Sequence, residues 1–213
     1  MELNFIQIKE KSEEIIKEYG VTSNPNLPTI EYQGLRRSED IISRVTVMAG
    51  MVYIAFQAPP AVIREWIHEQ RLNQYMTEFE KNILEKDRLE VTPSELLKLK
   101  WYLESLWALV WVLDINTNFQ PHEPVGNDLL NMVPDVKKKQ DFTILQTNNL
   151  TRNIKEIYEQ TDLYYRLHWY CVDSKLKGIK HFRFDEGTIK ERRQALEWVI
   201  SPKVEWEDID LST

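Results

Sequence analysis

Five ionisable residues, Glu104, Asp162, Arg166, His168 and Arg192, stand inside helical patterns that are otherwise apolar or aromatic. They are the side chains from which a catalytic or ligand-binding centre would be built. In "KWYLESLWALVWVLD", Glu104 shares a face with Trp107, Ala108 and Trp111 at spacings of three, four and seven, which carries its carboxylate into or beside the interior. A buried carboxylate without a partner costs several kcal/mol, so Glu104 must find a cation, take up a proton, or serve as a site acid. In "TDLYYRLHWYC", Asp162 and Arg166 lie four apart and pair on one face with Tyr165 and Trp169; Tyr164, His168 and Cys171 fall on another. His168 suits a general base or a ligand, and equally a hydrogen-bonded core residue. In "ERRQALEWV", Arg192 shares a face with Ala195, Leu196 and Val199, so it is expected to be buried against a carboxylate. Arg193 then points toward solvent or toward the tail "EWEDIDLST", and Trp198 and Trp206 read as packing residues.

No self-sufficient catalytic motif surrounds these residues. The histidines His68, His122, His168 and His181 show no HxxxH or HExxH pairing, so no metal is expected. GxGxxG, P-loop and GxSxG patterns do not occur, and no cofactor is expected. The lone Cys171 excludes an internal disulfide or a cysteine cluster; it reads as a buried thiol in a reducing compartment. The chain carries 27 Lys plus Arg against 34 Asp plus Glu, a formal charge of −7. Nucleic acid is therefore an unsuitable partner, since such binding needs phosphate neutralisation. "KKK" at Lys137 to Lys139, between Asp135 and Asp141, is a solvated face. The run Val45 to Ile63 approaches a membrane span in length, but Gly50 and Pro59-Pro60 interrupt it and Arg44, Arg64 and Glu65 bound it. With an acidic amphipathic N-terminus in place of a signal peptide, a cytoplasmic protein with no membrane association is expected.

The elements that must position these residues are helical. Apolar residues recur at three and four, and glycine is scarce, at six residues. A first helix spans Phe5 to Tyr19 and stops at Gly20; a proline- and asparagine-containing loop follows. Ser38 serves as N-cap of a largely buried helix, and Pro60 opens the next after Pro59 stops it. Thr77 with Glu80, and Thr92 with Pro93 and Glu95, mark two further starts by reciprocal capping. Residues 115–148 form a crossing with one or two short helices, and the helix from Thr151 onward ends at Gly178. The expectation is an all-α, single-domain irregular bundle of roughly seven to nine helices around a Trp-rich central helix. Residues 1–33 form an N-terminal helix and loop, and 34–213 the helical domain.

"GLRRSEDIISR", "WYLESLWALVWVLD", "TDLYYRLHWY" and "ERRQALEWV" followed by "WEDIDLST", in that order, resemble the bacterial family filed as domain of unknown function 4272. The resemblance covers most of the chain from about Gly34. It places Arg37, Glu104, Trp107, Trp111, Asp162, Arg166, His168, Trp169, Glu191, Arg192, Trp198, Trp206 and Asp208 on recurrent positions; Glu207 stands where the family more often has aspartate. Among them, Arg37, Glu104, Asp162, Arg166, His168, Glu191, Arg192 and Asp208 form the candidate polar set. The resemblance implies no reaction. The leading functional expectation is a non-enzymatic protein-interaction or immunity-type binding protein with a protein partner. The alternatives are an enzyme or small-ligand receptor around Glu104, Arg166, His168 and Arg192, and a structural lock in which Arg192 or Arg193 binds the tail acids and Glu104.

Overall fold

Among the described residues, two of the eight α-helices begin on a threonine whose hydroxyl accepts the third backbone N–H of the helix while the glutamate at that position reaches back. These reciprocal caps, Thr77 with Glu80 and Thr92 with Glu95, set the starts of α4 (Glu78–Leu84) and α5 (Pro93–Val112) where the sequence puts them. The remaining helices of the computed structural model are α1 (Phe5–Glu18), α2 (Ser38–Ala55), α3 (Pro60–Glu69), α6 (Leu129–Met132), α7 (Ile154–Leu176) and α8 (Glu186–Ile200). The structure describes residues 3–143, 145, 151–179 and 183–213. Among them there is no strand, and the all-α expectation holds. His181 lies outside the described residues.

Contacts divide the chain into two compact units. One comprises residues 37–119 and 124–151; within it α2 packs chiefly on α5, α3 on α2, and α4 on α3. The tryptophan-rich α5 is buried over Ser105 to Val112, and α2 from Ile41 to Val52. Both are apolar around most of their circumference, as a helix covered on several sides must be. Gly50 lets α3 approach closely, because a Cβ there would lie 3.0 Å from both Ile63 Cγ2 and the Trp66 ring. The 115–148 crossing carries α6 and a 3-10 turn at Val136–Lys138.

The second unit comprises residues 1–36, 120–123 and 152–213, in which α7 packs against both α1 and α8. The first 33 residues, a helix and loop in the sequence, belong to this unit. Gly20 (φ 74°) and Gly178 (φ 66°) follow α1 and α7 in the left-handed conformation that terminates helices. One start differs from expectation. Arg37, not Ser38, is the N-cap of α2 and makes no side-chain cap; Glu39 and Asp40 in the first turn complement the helix dipole instead. Among the described residues no helix is long and apolar enough to cross a membrane.

Candidate functional site

The densest polar centre of the second unit forms around a residue that the sequence turned outward. Arg193, on α8, is 2% exposed, and each of its five guanidinium N–H donors has an acceptor. Nε donates to Glu197 Oε1 at 2.6 Å, one helical turn on. Nη1 donates to His168 Nδ1 of α7 at 2.7 Å and to the Leu211 carbonyl at 3.1 Å. Nη2 donates to the carbonyls of Asp210 at 3.4 Å and Ser212 at 3.3 Å. Tyr165 offers its ring face 4.8 Å from the guanidinium carbon. The expectation that Arg193 faces solvent or the tail is half corrected. It reaches the tail, but from the interior and through backbone carbonyls, because α8 is covered from Arg192 to Ile200 except at Gln194.

The arrangement fixes the chemistry of its neighbours. Arginine only donates, so the Nδ1 of His168 is an acceptor and its proton resides on Nε2. Burial, reinforced by the Arg193 charge, holds the imidazole pKa down at about 4. Burial raises the Glu197 carboxyl above its ordinary value, with Arg193 opposing. Cys171 is fully buried and its thiol is pushed up to about 12 by burial. Such a thiol is not a nucleophile near neutral pH.

The family described as Domain of unknown function (DUF4272) matches residues 8–209. The chain belongs to the DUF4272 family. No curated protein and no solved structure matches it. The DUF4272 match takes in all or part of each of α1 to α8 and reaches the 3-10 turn Trp206–Asp208.

Within this DUF4272 chain the remaining candidates are held as follows. Asp162 and Arg166 pair as the four-residue spacing predicts, bidentately at 2.8 and 2.9 Å, and both are buried. Arg166 also donates to the Pro28 carbonyl at 3.1 Å and lies 3.6 Å from Glu13. Arg192 is fully buried, as expected from its face. Its partners include the carbonyls of Gln120 and Glu123, each at 2.9 Å, and the Tyr164 hydroxyl at 3.3 Å. Glu191 is half-buried; Asp208 is exposed. Arg37 and Glu104 belong to the other unit: Arg37 is exposed and ion-paired to Asp40, and Glu104 is half-buried on α5. Trp198 and Trp206 pack edge to face at 5.4 Å, as packing residues should.

Arg36 escaped the sequence reading. It lies over Trp198 at 3.9 Å and donates to the carbonyls of Trp198, Ser201 and Val204. It precedes α2, so helical periodicity assigned it no face. For Arg193 a signal did exist: Glu197 four residues on, the same spacing that betrayed Asp162 and Arg166. Among the described residues no group of three or more His, Cys, Asp or Glu side chains is placed to hold a metal ion.

Proposed function

We propose that the protein works by holding another protein and not by catalysis, with immunity-type neutralisation of a toxin as one form of that role and the cytoplasm as its compartment. The observation that carries this reading is the saturation of Arg193, whose five donors all end on the protein's own Glu197, His168, Asp210, Leu211 and Ser212. A catalytic acid–base pair needs a group within reach of substrate and titrating near the working pH. His168 is 4% exposed, with Nδ1 engaged by Arg193, and Arg166 and Arg192 are turned to the main chain at Pro28 and at Gln120 and Glu123. The lone cysteine supports a reducing compartment.

The surface supports the same reading. Leu176, Ile6 and Ile179 are exposed apolar side chains available to a partner. The test is capture of the tagged chain at native abundance, followed by reconstitution with the recovered partner from purified components. A stoichiometric complex that survives gel filtration is expected. Repeated captures that return the bait alone, or a partner that fails to bind when purified, overturn the proposal.

A further inference from the structure

The segment Ile209–Ser212 lies against Arg193 by its main chain. Asp210 and Ser212 are exposed and Leu211 is half-buried, while the carbonyls of Asp210, Leu211 and Ser212 all turn onto one guanidinium. The Asp210 carboxylate accepts the Ser212 N–H at 2.9 Å, and this small turn aligns the three carbonyls. Just before it, Trp206 is buried against Trp198 and its carbonyl accepts from Gln194 Nε2 at 2.9 Å. The chain is thus anchored at Trp206 and, beyond the exposed Asp208, is held to Arg193 through main-chain carbonyls, with Ile209 and Leu211 half-buried.

Lifting this strap leaves three of the five donors of a buried cation without acceptors, with Glu197 as the anion beside it. Such a centre is costly to leave open, so it closes on the strap or on an equivalent row of carbonyls. Carbonyl recognition carries no side-chain specificity, so another extended segment satisfies the same donors. Because those donors sit on a cation, an incoming acidic segment is favoured, as the strap itself is acidic at Asp208 and Asp210. We infer that the Arg193 centre is a main-chain recognition site whose resting occupant is the protein's own Ile209–Ser212 strap, and that an extended acidic segment of a partner protein replaces it. This rests on the interaction reading above and names where and how the partner is held.

The probe is the peptide of residues 205–213, EWEDIDLST, labelled with fluorescein and titrated into the full chain. Asp210→Ala removes the turn that aligns the strap while leaving Arg193 untouched. It is expected to bind the peptide about tenfold tighter than wild type, because the site no longer has to be vacated first. In the same background Arg193→Lys keeps the charge, loses the fork, and is expected to abolish binding. With nitrogen-15-labelled wild-type chain, unlabelled peptide is expected to move the Ser212 amide to an unstructured position; this measurement needs no variant to fold. Equal affinity for Asp210→Ala and wild type, binding that survives Arg193→Lys, or a Ser212 amide that stays in place while peptide binds would each overturn the inference. Captures that return bait alone count against the interaction reading and leave the peptide result standing. A reconstituted partner complex with no peptide binding removes the Arg193 assignment alone.

Discussion

The two units solve the same problem, satisfying buried polar groups, with different emphasis. In the unit built from α2 to α6, helices meet chiefly through apolar side chains, and Arg44 of α2 is held mainly by a buried ion pair with Glu80 of α4 at 2.7 Å, with one further bond to the Tyr75 carbonyl at 3.3 Å. In the unit of α1, α7 and α8, four buried arginines each reach the main chain of a non-helical segment. Arg166 takes Pro28; Arg192 takes Gln120 and Glu123; Arg36 takes Ser201 and Val204; Arg193 takes Asp210 to Ser212. Irregular chain presents carbonyls that no helix satisfies, and a guanidinium with five donors on a long stem can gather several of them at once. Arginine here does for loops what capping threonines do for α4 and α5.

That difference predicts unequal responses to the same kind of substitution. Arg193→Met leaves Glu197, His168 and three carbonyls without their shared donor, and a loss of about 3 to 5 kcal/mol is expected from urea unfolding. Arg44→Met combined with Glu80→Gln removes both charges of the other pair while a glutamine preserves the cap on Thr77. That double variant is expected to stay within about 1 kcal/mol of wild type, since a buried pair replaced by neutral groups often costs little. Equal losses in the two variants would break the comparison.

Acid separates the units next. His168 titrates at about 4 when folded, against 6.5 for an ordinary histidine, so below pH 6.5 the unfolded chain binds the extra proton first. Stability therefore falls as pH drops from 6.5 to 4 and is flat in this respect above 6.5. The full span corresponds to roughly 3 kcal/mol. His168→Gln is expected to flatten the dependence of unfolding free energy on pH across that window; an unchanged slope assigns it to other groups. Glu95, in the other unit, is lowered to about 2 by its hydrogen bond to Lys86, so its contribution is complete above pH 4.5 and is lost as pH falls toward 2. The two windows scarcely overlap.

The helices were legible because their signals are local. Thr77, Thr92, Pro60, Gly20 and Gly178 act within a few residues of themselves, and each acts as the sequence predicts. The Asp162–Arg166 pair was legible for the same reason. The arginine–carbonyl contacts were not, because every residue carries a carbonyl, and the acceptors of Arg192 and Arg166 come from segments distant in the chain at Gln120 and Pro28. Both arginine pairs show the limit. Of Arg36 and Arg37, the polar set took the second, and the first is the buried one. Of Arg192 and Arg193, face counting buried only Arg192, although the tail covers the neighbouring face as well.

The smaller effects sharpen the contrast between a local cap and a surface pair. Thr92→Ala removes the hydroxyl that accepts the Glu95 N–H and is expected to cost about 1 kcal/mol by thermal or urea unfolding. Arg37→Ala should do less still. Its guanidinium is largely in solvent and its partner Asp40 is three residues away on the same first turn, a geometry in which water screens the attraction and side-chain ordering opposes it. An unchanged melting temperature is expected for Arg37→Ala. If that variant melts as wild type yet loses a partner in the reconstituted complex, Arg37 acts in recognition from a position where folding makes no demand on it. A substantial drop in melting temperature would instead place it with the buried arginines of the other unit.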